Sequence, residues 1–322
     1  MISDLNNILK LYTQEIEDIN FSQLDLEDVS FKLPRFKKEV IIDICNQVSE
    51  LFKNEDILLN LKRSNVHIIG DLHGNLFDIL RFIKKIGLPN ESQATYIFLG
   101  DIVDRGEFSF ETVLIIFIMK ILFPQNVYVI RGNHEFDSTC YEGGFKEDIT
   151  KLYDIDTYNS FLNVFSYLPL AALVNSQIFC VHGGIGPNFH SLDQISQIKR
   201  PLNDYKDDDI LISLLWSDPE DSIQEFKESY RGTGYIFGCD AFERFIQKNN
   251  INLIIRGHEC VDKGFKFSFG GKLITVFSAS KYCGCAHNSA AIIQLIDGFD
   301  PVAIEFDPIE YIERDTVSFY DI

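Results

Sequence analysis

The chain has 322 residues, 46% of them hydrophobic and including 28 Phe and 13 Tyr, which is enough apolar material for a sizeable core. It contains no apolar run of about 18 residues that would cross a bilayer, and its net charge of −19 argues against nucleic acid as a partner. Seven cysteines without a CxxC pair, and no basic or small-residue-cleaved leader, predict reduced thiols in a cytoplasmic or nuclear chain with no membrane association.

Residues 1–30 place Leu5, Ile8, Leu9, Tyr12, Ile16 and Ile19 at the spacing of one amphipathic helix, followed by an acidic connection at 25–28. This N-terminal extension is expected to pack on the main body, with a dock for a partner as the alternative reading. Residues 36–61 then read as two helices before the first strand. Three glycine-punctuated blocks follow, GDLHG (70–74), GDIVDRG (100–106) and RGNHE (131–135), closing strand-forming runs at 66–69, 96–99 and 127–130. Helices are expected at 110–121, 145–153 and 156–167. The β-rich run 177–181 ends in His182-Gly183-Gly184, an acidic loop at 204–209 precedes 211–216, and the run 253–255 ends in Arg256-Gly257-His258. Short strands are expected at 265–269, 273–278, 290–296 and 302–306. The predicted fold is mixed α/β, a two-sheet β-sandwich flanked by helices, with one domain over 31–308 and a short tail at 309–322.

Strand ends are where α/β sheets place ligands, and the ends here carry hard oxygen and imidazole donors. Asp71, His73, Asp101, Asn133, His182 and His258 supply six donors, suited to two divalent ions roughly 3.5–4 Å apart with one bridging carboxylate. Asp101 is the expected bridge, because it lies between the two ligand groups in chain order. Glycine beside each donor allows a sharp turn and a close approach of metal or phosphate. His134, directly after Asn133, is the candidate general acid, and Asp104 the carboxylate that orients it and keeps it protonated. Arg105 is a candidate phosphate clamp. Arg131 and Arg256 fit either the cleft or structural ion pairs beneath it. No Cys-x5-Arg loop occurs, so thiolate chemistry is not expected.

The same blocks, continued by FSYLPLAALVNSQIFCVHGG (165–184), LLWSDP (214–219), YRGTGYIFG (230–238), RGHE (256–259) and FSASKYCG (277–284), resemble the phosphoprotein phosphatase family in order and spacing. That family of Ser/Thr protein phosphatases lies within the calcineurin-like metallophosphoesterase superfamily, and the resemblance runs over about 33–308. It implies hydrolysis of phosphoserine and phosphothreonine by direct attack of water activated by two metal ions. Mn2+ is the expected ion in vitro, with Fe or Zn as native alternatives. It further implies that Arg231 is the second phosphate clamp, that Tyr282 stands over the substrate pocket, and that Asn133 faces both metal and phosphate. Cys283 matches a family position without being a nucleophile, and Asp218 and Glu135 are expected to support ligands. Phosphoprotein substrates and regulatory subunits are the implied partners, and the acidic surface predicts a preference for phosphosites flanked by Lys or Arg. A nucleotide or small-molecule phosphoesterase and a non-catalytic scaffold are the alternatives.

The chain departs from the family pattern in one loop. The usual Ser-Ala-Pro-Asn-Tyr-Cys-Gly reads Ser278-Ala279-Ser280-Lys281-Tyr282-Cys283-Gly284. Loss of the proline is expected to loosen this loop, and Lys281 adds a cation beside the tyrosine. Phe136-Asp137 stands where a small or cysteine residue and an arginine are common.

Overall fold

A computed structural model describes residues 2–14, 31–89 and 94–322. Period-two alternation in the strands builds two sheets that share one interior. The first has the spatial order Asp300–Phe306, Ala290–Ile296, Val66–Ile69, Thr95–Phe98 and Val127–Val129. The second runs Phe265–Ser268, Leu273–Val276, Leu253–Arg256, Ile178–Val181, Ala171–Val174 and Leu58–Leu61. Val66, Ile68, Ile97 and Tyr128 from the first sheet meet Cys180, Ile255, Ile274 and Val276 from the second in one buried cluster between them. The alternate residues, such as Ile69, Tyr96, Phe98 and Val129, face helices on the outer side. A third cluster, containing Phe179, Leu214, Phe242 and Ile254, buries the helices Asp209–Trp216 and Cys239–Asn249 on the outer face of the second sheet. The expected two-sheet sandwich flanked by helices is therefore the fold observed.

Val66–Ile69 pairs in parallel with Thr95–Phe98, which pairs in parallel with Val127–Val129. Ile178–Val181 and Leu253–Arg256 are likewise parallel. The C-terminal ends of each parallel set consequently open on one side of their sheet, and the Asp71–Phe277 bridge ties the rim of one sheet to the other.

Most expected elements lie within a few residues of those found, including helices Ser109–Leu122, Phe145–Leu152 and Ile155–Phe165. Residues 36–61 are a correction. They form one helix, Lys38–Lys53, and then the strand Leu58–Leu61, which pairs in parallel with Ala171–Val174. A short apolar run gives no periodicity that separates strand from helix, and here pairing at long range decides. The N-terminal helix is Ile2–Gln14, with Leu5, Ile8, Leu9 and Tyr12 buried. Ile16, Ile19 and the acidic connection at 25–28 lie outside the described residues. Asp208 of the acidic loop caps the helix Asp209–Trp216, its Oδ1 accepting from the N–H groups of Ile210 and Leu211. Near the C-terminus, Ser318–Asp321 pairs in parallel with Lys32–Arg35.

Candidate active site

Five loops at the strand ends bring Asp71, His73, Asp101, Asn133, His134, His182 and His258 together. Asp101 belongs to two groups whose donor atoms converge, one with His73 and His134 and the other with His182 and His258. Its carboxylate lies 3.6 Å from His73 Nε2 and 3.4 Å from His182 Nε2. Asp71 Oδ2 is 3.8 Å from His73 Nε2. Asn133 Oδ1 lies 2.8 Å and His258 Nδ1 3.1 Å from His182 Nε2. Gly257 permits this packing, since a Cβ there would sit 2.3 Å from Asp71 Oδ1. The freed N–H of His258 donates to both Asp71 oxygens, at 2.9 and 3.1 Å.

The ring orientations decide which nitrogens face the centre. His73 Nδ1 lies 3.1 Å from the Val103 carbonyl and His182 Nδ1 2.9 Å from the Leu99 carbonyl. Carbonyls only accept, so each Nδ1 carries a hydrogen and each Nε2 is turned toward Asp101. Burial, followed by the neighbouring His134, drives His73 down to about 3, and burial with the charges of His182 and Arg231 pushes His258 well below the usual range. Both are neutral imidazoles, the form that binds metals. Burial works against ionisation of the carboxylates too. It lifts Asp71 up to about 7, whereas at Asp101 the imidazoles of His182 and His134 outweigh it and hold the carboxyl well below its usual range. Buried acceptors therefore converge here in excess of donors, and hard or borderline divalent cations satisfy them. The residues fit two such ions, with Asp101 common to both positions.

His134 is placed differently. Its Nδ1 is 2.7 Å from Asp104 Oδ2, and its backbone N–H donates to Asp101 Oδ1 at 2.9 Å. Burial alone would depress its pKa, but Asp101 and then the Asp104 hydrogen bond outweigh that and push it up to about 9. Cations at the centre would offset the part due to Asp101 and leave the direct Asp104 contact. Asp104 is fully buried against the corner between helices Asp137–Gly143 and Phe145–Leu152, where its Oδ1 accepts from the Phe145 N–H at 3.0 Å. Gly143 makes room for it, because a Cβ there would lie 2.2 Å from the carboxyl carbon. His73, Asp101, Asp104, Arg105 and His258 all have φ between +43° and +71°, the left-handed region that non-glycine residues rarely enter.

An open cleft of about 300 Å³ lies over this cluster, with Arg105, Arg231 and Tyr282 in its walls. Arg231 donates from Nε to Asp218 Oδ2 at 2.6 Å and from Nη2 to the His258 carbonyl at 3.2 Å. Asp218 is braced from behind by Arg256 Nη2 at 2.8 Å. Tyr282 packs its ring 5.1 Å from His73 and 5.1 Å from Phe277. Arg131 and Arg256 lie beneath the cleft instead. Arg131 gives its donors to the Glu135 and Leu202 carbonyls and stacks 3.5 Å from Phe136, while Arg256 holds Gly183, Ser217, Asp218 and Glu259. Glu135 accepts from the N–H groups of Asp101, Ile102 and Gly132, which fixes the two ligand loops to each other.

Trp216, Thr139, Glu142 and Cys260 also line the cleft, beyond the residues that the sequence motifs single out. Trp216 sat inside the LLWSDP block and Cys260 two residues after His258, so adjacency to a ligand motif was the available signal. Glu142 belongs to a short helix that the sequence pattern does not announce. Although Cys260 is exposed, partial desolvation at the cleft wall and then the charge of Asp71 push its thiol up to about 11, so it is not a thiolate nucleophile. All seven cysteines are free.

A family model described as calcineurin-like phosphoesterase matches residues 64–262. Among solved structures, a protein serine/threonine phosphatase from Saccharomyces cerevisiae with similarity to human phosphatase PP5 is 31% identical, with a TM-score of 0.80. That match covers 86% of this chain and 91% of the yeast chain. A cold-active protein-tyrosine phosphatase from a psychrophilic Shewanella species, 17% identical over 80% of this chain and 84% of its own, shares the fold with a TM-score of 0.58.

Proposed function

The chain belongs to the calcineurin-like phosphoesterase family, in its phosphoprotein phosphatase branch, and from that premise we propose that it is a metal-dependent serine/threonine protein phosphatase. One observation carries the reading. Asp101 stands between two converging donor groups, His73 and His134 on one side and His182 and His258 on the other, at the floor of a cleft that Arg105 and Arg231 enter.

In this reading Asp71, His73 and Asp101 would hold one divalent ion, and Asp101, Asn133, His182 and His258 a second. Such a pair would supply a water of lowered pKa, toward roughly 7, and neutralise charge on the phosphoryl group. Arg105 and Arg231 bind phosphoryl oxygens through their planar forks, and Asn133 and the Tyr282 hydroxyl add further contacts. Asp218, itself held by Arg256, fixes the orientation of Arg231. His134 holds the proton that the departing serine or threonine oxygen takes up. Its Nδ1 is occupied by Asp104, so Nε2 is the atom that donates. No covalent phosphoenzyme is required, in keeping with the protonated state of the nearby Cys260.

The substrates in this reading are phosphoproteins, with regulatory subunits supplying selection among them, and the seven free thiols support a reducing compartment such as cytoplasm or nucleus. The test is hydrolysis of a phosphoserine peptide and of a dinucleotide polyphosphate by the Mn2+-loaded protein, each beside a chelator control. Chelator-sensitive turnover of the peptide, well above that of the nucleotide, supports the proposal. The reverse preference, or peptide turnover that survives chelation, overturns it.

A further inference from the structure

The loop that carries Tyr282 differs from the family pattern by having Ser280 where proline is usual, and it is held tightly. Asp78, fully buried in the first turn of helix Leu76–Ile86, accepts the backbone N–H of Ser280 at 2.5 Å and its hydroxyl at 3.3 Å. Arg81 pairs with the same carboxylate at 2.5 Å and donates to the Asp307 carbonyl at 2.6 Å. Asn75, the cap of that helix, donates to the Ser280 carbonyl at 3.1 Å. On the far side Asn288 accepts from the Tyr282 N–H at 3.0 Å and donates to the Ala279 carbonyl at 2.8 Å. Between these contacts Lys281 and Cys283 stand at φ +48° and +54°. Residues in that region are strained and persist only where surrounding contacts fix them. The loosening expected from the missing proline is thus corrected. Proline has no N–H, and the N–H that serine provides is the group bound by Asp78.

We propose that Asp78 is a positioning residue for substrate binding, acting through the Ser280 N–H to hold Tyr282 over the cleft. The proposal rests on the reading of Tyr282 as a substrate contact. Asp78 follows the ligand loop 70–74 on the same helix cap, so one element places both the metal donors and the tyrosine.

The test is a double-mutant cycle on the Mn2+-loaded enzyme with Asp78→Ala, Ser280→Pro and the pair, beside Asp78→Asn and Tyr282→Phe. KM and kcat are read with a phosphoserine peptide, and amide hydrogen exchange over residues 278–288 is read without substrate. Expected results are a KM raised about tenfold in Asp78→Ala with kcat within about twofold, faster exchange at 280–283, and partial rescue in Asp78→Asn, which keeps an acceptor for the N–H. In the Ser280→Pro background, Asp78→Ala should have little further effect. Unchanged exchange in Asp78→Ala, or effects of the two substitutions that simply multiply, overturns the proposal. A loosened loop with unchanged KM also overturns it. The Tyr282→Phe variant then assigns the fault. If it too leaves KM unchanged, the reading of Tyr282 has failed, and if it raises KM, the link from Asp78 has failed.

Discussion

Asp104 Oδ2 and His134 Nδ1 lie 2.7 Å apart, with the carboxylate fully buried and held on its other oxygen by the Phe145 N–H. The contact leaves the opposite ring nitrogen as the one proton-bearing atom His134 can offer to a departing oxygen.

His134→Asn is therefore expected to lower kcat on a phosphoserine peptide by about 10²–10⁴ while KM stays close to wild type. Asp104→Asn gives a smaller loss of the same kind. An aryl phosphate, whose leaving group departs without a proton, should lose far less activity in both variants. Equal losses on the two substrates would exclude His134 as the proton donor.

Metal removal carries a stability signature as well as a loss of turnover. The cluster around Asp101 concentrates buried acceptors that cations satisfy, so the folded state binds ions and the unfolded chain does so weakly. At Mn2+ concentrations about 100-fold above the dissociation constants, thermal unfolding should show about 2.7 kcal/mol of stabilisation per occupied ion position, or roughly 5.4 kcal/mol for both, over the chelated protein. Asp101→Asn should abolish most of that difference, because both ion positions lose their common carboxylate. An unchanged Mn2+ response in this variant would remove Asp101 from the centre.

Arg231 presents a fork rather than a point charge, and Asp218 sets its plane through the 2.6 Å bond to Nε. Arg231→Ala should cost about 1.5–3 kcal/mol in kcat/KM, or roughly tenfold to a hundredfold, and Arg231→Lys should recover little of it. Asp218→Asn should reproduce part of the loss with Arg231 intact. Full recovery by lysine would show that charge alone suffices.

Acid stability depends in part on His67, which is buried with its ring edge-to-face on Tyr96 at 5.5 Å. Burial drives its pKa down to about 4 from an ordinary value of 6.5. Above about 6.5 it is neutral in both states and favours neither. As pH falls below that, the unfolded chain takes up the proton first, so stability declines until about pH 4, where the folded state protonates too. The loss over this window is about 3 kcal/mol. His67→Phe should flatten that segment of the stability-against-pH curve, as read by urea unfolding at pH 4 to 7. A parallel curve for the variant would show that other groups set the decline.

The donors Asp71, His73, Asp101, Asn133, His182 and His258 were legible because each ligand and its glycine are local in sequence and close a recognisable strand. The parallel order of Val66–Ile69, Thr95–Phe98 and Val127–Val129 then brings their ends together. What was not legible depends on contacts far apart in the chain. Leu58–Leu61 is a strand because Ala171–Val174 lies beside it, and the four letters alone do not distinguish it from helix. The rigidity of the loop at Ser280 comes from Asp78, about two hundred residues earlier. Glu142 reaches the cleft through a helix only seven residues long, too short for periodicity to register.

The left-handed backbone at His73, Asp101 and His258 sets the centre against the stability of the chain that carries it. Glycine at any of these three positions would relieve strain of about 1–3 kcal/mol and would also remove a buried polar group that needs a partner. Without bound ions, selection for heat resistance alone should thus erode these residues first, whereas ions held by the same side chains oppose that drift. Directed evolution of a hardier variant therefore has to be run with the ions present and with activity screened at every round, because in the ion-free chain strain relief and chemistry pull on the same residues.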